Sequence, residues 1–178
     1  MGDMINKNGK TEEEKIIEMI EKESDILFED LPDIDLYMDQ LIGLFEGKLA
    51  GNKEKVLTKT MINNYSRDKL LGAVNKKKYS KDQILRMLII YNLKQTMSIT
   101  ELQDLFSYIK KSNVSFEKIY EEIIRFKKMR SKILSSVMKN IKAEQNTEIN
   151  SVLFYSILSS SFKQLASLKL EGLEESEI

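Results

Sequence analysis

The chain has 178 residues, 42% hydrophobic and 31% charged, with 28 Lys+Arg against 28 Asp+Glu and a single proline; this is ordinary for a globular domain and favours helices. It holds no cysteine and no histidine, which excludes a disulfide framework, a Cys/His zinc site, Ser-His and Cys-His nucleophile pairs and a histidine pH switch. The polar, acidic N-terminus does not read as a signal peptide, and no apolar run reaches the roughly 18–20 residues of a membrane span, so a cytoplasmic protein without metal or cofactor is expected.

Thr11 followed by Glu14 is a capping-box pattern, and Ile16, Ile17, Met19 and Ile20 then recur near helical spacing, predicting a first helix over about 12–27. Pro32 separates it from a second helix, capped by Asp33 or Asp35, that carries Leu36, Leu41, Leu44, Phe45 and Leu49 and ends at Ala50-Gly51-Asn52. Thr58 is a candidate N-cap for a third helix running to about Lys69, followed by a short turn or two-strand wing in "LLGAVNKKKY". Ser80 with Gln83 and Ser98 with Glu101 repeat the capping box before "KDQILRMLIIYNLKQTM" and "ITELQDLFSYIKK". Phe116, Ile119, Ile123, Phe126, Ile133 and Val137 alternate spacings of three and four with one gap at Arg130, which predicts one long helix of about 28 residues. A last amphipathic helix is expected over about 149–169 and a disordered tail over 171–178. The fold class is therefore all-α.

Zero net charge conceals a division along the chain. Residues 1–47 carry four Lys/Arg against fourteen Asp/Glu, whereas residues 48–94 carry twelve against three. Such asymmetry marks an interaction surface, or acidic and basic segments that pack on one another. In the third helix Met61, Ile62 and Tyr65 share an arc of about 100° that must face a core. Lys59, Asn63 and Arg67 lie near the opposite side with Thr60 and Asn64 beside them. These are side chains that read base edges and phosphates in a DNA major groove. Lys76, Lys77 and Lys78 follow in the turn and Lys81 and Arg86 on the next helix, placed to meet a phosphate backbone. Paired carboxylates such as Asp33/Asp35 or Glu121/Glu122 show no convergent partners, so no catalytic residue is expected.

The run "TKTMINNYSRDKLL…KKYSKDQILRMLIIYNLKQTMSITELQDL" resembles the winged-helix (helix-turn-helix) half of MerR-type regulators. Tyr65, Leu70-Leu71, Tyr79-Ser80, Leu88-Ile89 and "SITEL" occupy matching places. Where that family has an arginine in its recognition helix, this chain has Asn63 or Asn64. From "LPDIDLYMDQ" to "SITELQDL" the chain is more closely similar to an uncharacterised bacterial family, domain of unknown function 1836. Charge and periodicity give an acidic N-terminal arm and helix over 1–30, and the resemblance implies a MerR-like winged-helix unit over 31–112 followed by a helical dimerisation or effector region over 113–170. It further implies a transcriptional regulator that binds double-stranded DNA as a homodimer, its seam formed by the stripe of Phe116, Ile119, Ile123, Phe126, Ile133 and Val137. The alternative expectation is a helical protein-interaction module of the same fold that does not bind DNA.

Overall fold

A computed structural model describes residues 11–23, 25–49, 57–142 and 148–175. The described chain is mostly helical: α1 (Glu12–Glu21), a 3₁₀ turn (Phe28–Asp30), β1 (Leu36–Tyr37), α2 (Met38–Lys48), α3 (Lys59–Arg67), β2 (Lys78–Tyr79), α4 (Lys81–Leu93), α5 (Ile99–Lys111), α6 (Phe116–Lys142) and α7 (Glu148–Glu175). Among the described residues no helix is long and apolar enough to cross a membrane.

The capping boxes at Thr11–Glu14, Ser80–Gln83 and Ser98–Glu101 all form, and the Thr58 hydroxyl accepts from the Met61 N–H. Each satisfies amides that the first helical turn leaves without intrahelical partners. Three boundaries differ from the sequence expectation. The first helix stops at Glu21, because Glu23, Asp25 and Ile26 leave it to meet α6 and the core. The second starts at Met38, with Tyr37 and not Asp33 or Asp35 at its N-cap. Leu36 and Tyr37 are held extended by antiparallel pairing with Tyr79 and Lys78, so helical geometry cannot begin before them. The expected disordered tail is helical as far as Glu175, anchored by the buried Leu170. The expected stop at Ala50-Gly51-Asn52 lies outside the described residues.

α4 is the centre of the molecule. Ile84, Leu85, Met87, Leu88, Ile89 and Ile90 are all buried, so this helix is covered on nearly every side. Around it close Leu41 and Phe45 of α2, Ile62 and Tyr65 of α3, Leu102, Phe106 and Ile109 of α5, and the start of α6. Phe116 meets Phe106 edge-to-face at 5.1 Å between ring centroids, and the buried Tyr120 hydroxyl donates to the Ile26 carbonyl at 2.8 Å. The core cluster begins at Ile26 and ends at Ile124. Beyond it α6 continues with α1 packed along it, and α7 returns to lie on α5.

Candidate nucleic-acid interface

Two backbone devices build the basic surface. The first closes α3. Lys69 takes a left-handed conformation (φ 60°), the Leu70 N–H donates to the Tyr65 carbonyl at 3.0 Å and the Lys69 N–H to the Ser66 carbonyl at 3.1 Å. This double bond pattern is a Schellman cap, whose left-handed position usually belongs to glycine. The second is the hairpin before β2. The Lys78 N–H donates to the Asn75 carbonyl at 2.9 Å, and both central residues, Lys76 (φ 48°) and Lys77 (φ 61°), have positive φ. A turn with both central φ positive is the mirror-image type that prefers Asn-Gly. Lysines held there cost conformational energy, and such strain gathers at working surfaces.

Beneath the hairpin the buried Gln83 holds its base. Its carboxamide N–H groups donate to the carbonyls of Leu71 (3.2 Å) and Ala73 (3.0 Å), while its oxygen accepts from the Ser80 N–H at 3.0 Å. The local sequence pattern marks Gln83 as half of a capping box. Its second task is hidden there, because nothing in a local pattern says which carbonyls a side-chain amide meets twelve residues away.

The predicted residues separate into three groups. Ile62 and Tyr65 are buried and Met61 half-buried, so Thr60, Asn63 and Arg67 point outward, with Asn64 between the two faces. Lys76 and Lys77 are exposed at the hairpin tip, and among the described residues neither makes an ion pair. Lys59, Lys78 and Lys81 are exposed or half-exposed but engaged. Lys59 pairs with Asp39; the Lys78 ammonium lies 4.9 Å from the Tyr37 ring centroid; Lys81 bonds Asp33 at 2.8 Å and sits 4.3 Å from the Phe28 ring centroid. Lys81 holds the Asp33 carboxyl below its ordinary range through that hydrogen bond. Arg86 belongs elsewhere. Its side chain is only 13% exposed, bonded to Asp82 at 2.8 Å and stacked 4.1 Å from the Phe116 ring centroid, so it braces α4 against α6. Lys69 is the residue that sequence reasoning missed. It sits exposed between α3 and the hairpin, and the absence of glycine at the end of α3 was its only signal.

The acidic arm reaches α6. Glu23 and Asp25 pair with Lys127 and Arg130 of α6, and the Lys127 side chain is only 11% exposed. A charged cleft of about 360 Å³ opens there, lined by Glu21, Glu23, Asp25, Lys127, Lys128 and Arg130 among others. Nearby, burial above all and then the Asp25 carboxylate push the Tyr120 hydroxyl well above the ordinary phenol range. Among the described residues no group of three His, Cys, Asp or Glu is arranged to hold a metal ion.

The expected dimer stripe is divided by the structure. Phe116 is buried, Ile119 and Ile123 are partly covered, Phe126 and Ile133 are each 56% exposed, and Val137 is intermediate. The face α6 turns inward carries Phe116, Tyr120, Ile124, Ser131 and Met138, a quarter-turn or so away from the stripe.

Residues 26–123 match the model of a family described as Domain of unknown function (DUF1836), more than half of the chain. The chain belongs to that family. The DUF1836 region coincides with the closed core, which runs from Ile26 to Ile124, and leaves α1, most of α6 and α7 outside it. No curated protein and no solved structure matches the chain.

Proposed function

We propose that the protein is a DNA-binding transcriptional regulator of MerR-like type that acts as a homodimer. The carrying observation is a run of outward cations set in costly backbone: Lys69, Lys76 and Lys77 hold left-handed conformations beside the exposed Asn63 and Arg67. The element order supports the same reading. A capped helix pair, α2 and α3, is followed by a hairpin whose second strand pairs with the residue pair preceding α2. This is the arrangement expected of a winged-helix reader, with α3 in the major groove and the hairpin on the backbone. Arg67 and Asn63 would read base edges, while Lys76, Lys77 and Lys69 would meet phosphates.

One observation favours a second reading, a protein-interaction module. Asp39 and Asp33 already occupy Lys59 and Lys81, as an acidic partner would. A salt series separates the two. Replacing Lys76, Lys77 and Lys78 with Ala should weaken binding to every duplex and flatten the log–log salt dependence by roughly 0.9 for each phosphate that is no longer neutralised. Asn63→Ala or Arg67→Ala should instead cost about 1–3 kcal/mol on a preferred site and little on random duplex. No salt-dependent binding by the wild type at low ionic strength would overturn the regulator reading.

A further inference from the structure

α7 is the least ordinary element of the molecule. From Ile149 to Phe162 it has no charged residue, and its apolar side chains are distributed around the whole helix and not along one stripe. A helix apolar on all sides is normally buried, yet here the single chain covers little of it. Val152, Leu153, Ile157, Phe162, Leu165 and Leu168 are each between 52 and 68% exposed. At its C-terminal end Leu170 is buried and the Ser167 hydroxyl donates to Glu101 at 2.7 Å.

We propose that α7 forms the core of a two-fold dimer, packing against α6 and α7 of a second copy of this chain to close a four-helix bundle. This rests on the dimer of the preceding reading and moves its centre from the α6 stripe to α7; it does not depend on DNA binding.

Three observations point to a second copy. First, α6 also leaves Phe126, Met129 and Ile133 open, each 44–56% exposed. At roughly 150 Å² for a fully open large side chain, these and the six on α7 present on the order of 800 Å². That is about one partner's share of a standard interface and more than the roughly 300–600 Å² patch of an ordinary monomer. Second, one added helix would cover one side of α7, whereas a partner's helix pair covers several, and two-fold symmetry lets each chain supply what the other needs. Third, two serines of α7 are ready for burial. The Ser156 hydroxyl donates to the Val152 carbonyl at 2.8 Å and Ser161 to Ile157 at 3.0 Å, so each donor is satisfied within its own helix. Their small side chains also permit close approach between helices.

The test is sedimentation equilibrium of the full chain at micromolar concentration, without DNA. The wild type should be a dimer, and Ile157→Lys with Leu165→Lys should shift it to monomer with its helical circular dichroism retained. Because the chain has no cysteine, a spin label on Ser160→Cys reports independently: a dimer built on α7 gives a short inter-label distance, which a fold defect in the lysine variant cannot mimic. A monomeric wild type overturns both this proposal and the α6 seam. A dimer that survives the α7 lysines and dissociates with Ile133→Lys overturns only this one. A monomer that binds vesicles containing phosphatidylserine overturns it in favour of a membrane surface, for which the exposed Arg125, Lys128 and Lys132 would be the rim.

Discussion

The DUF1836 region and the helices beyond it use apolar residues at similar density and in opposite ways. Between Ile26 and Ile124 each helix turns a defined face inward and α4 is enclosed by the others, so the chain supplies its own cover. Beyond Ile124 the pattern continues but the cover does not, and Phe126, Ile133, Val152, Ile157 and Leu165 face solvent in the single chain. A family boundary that coincides with the end of self-sufficient packing teaches that the shared unit folds on its own core. Outside it, charge pairs hold α1 to α6, while large apolar side chains of α6 and α7 stay exposed in the single chain.

That comparison is broken most directly where charge replaces packing. Lys127 is nearly buried between Asp25 and Glu23, and it fastens the acidic arm to α6. Lys127→Ala should cost about 3 kcal/mol, because it leaves Asp25 partly buried without its cation. In urea the midpoint should fall with the slope nearly unchanged. An unaltered midpoint would mean that the arm contributes nothing to holding α6.

The self-sufficient region was also the legible one. Its helices begin at Thr58, Ser80 and Ser98 as their capping residues dictate, and α4 is the buried helix that Ile84, Leu85, Leu88, Ile89 and Leu93 predict. Short-range patterns report local hydrogen bonds and burial, and little else. They were silent on Leu36–Tyr37 pairing with Lys78–Tyr79, which joins segments some forty residues apart, and so the start of α2 was misplaced. They were equally silent on Arg86, whose type suggests a phosphate and whose place is against Phe116. In α6 the three-four periodicity found the helix, and the face it turns to the core, with Tyr120, Ile124 and Met138, lies beside the stripe expected at a seam with a second chain. Glu23 and Asp25 of the acidic arm meet α6, whereas Asp30, Asp33 and Asp39 pair with Lys48, Lys81 and Lys59 of the basic segment, a division that total charge does not encode.

The hairpin sharpens the comparison within the self-sufficient unit, because there stability is given up. Lys76→Asn with Lys77→Gly places the residues this turn prefers at its two positive-φ positions. The pair should raise stability by about 1–2 kcal/mol, read from urea unfolding. Under the regulator reading the same change should weaken binding to all duplexes alike, since it removes two phosphate partners and no base partner. Greater stability with unchanged duplex affinity would separate the strained turn from DNA.

The smallest effect concerns the seam between the two regions. The Ser98 N–H donates to one carboxylate oxygen of Glu101 at 2.7 Å and the Ser167 hydroxyl of α7 to the other at 2.7 Å. The Ser98 backbone bond chiefly, with the Ser167 bond next, draws the Glu101 pKa down to about 2. A carboxylate whose pKa is lower in the folded state than in the unfolded chain stabilises the fold fully above its unfolded value, near 4.5. That contribution declines as pH falls from there toward 2. Because Glu101 is well hydrated, the change should be well under about 1 kcal/mol, and the residue's own titration is the better measure. Carbon-detected NMR of the Glu101 carboxyl should show the depressed value in the wild type, and Ser167→Ala should raise it toward the ordinary range while the Ser98 bond keeps it below. If Ser167→Ala leaves the titration unmoved, α7 is not seated on α5 in solution. The contact that joins the closed core to α7 would then be missing, and the proposed dimer would have to supply the docking of α7 as well as its cover.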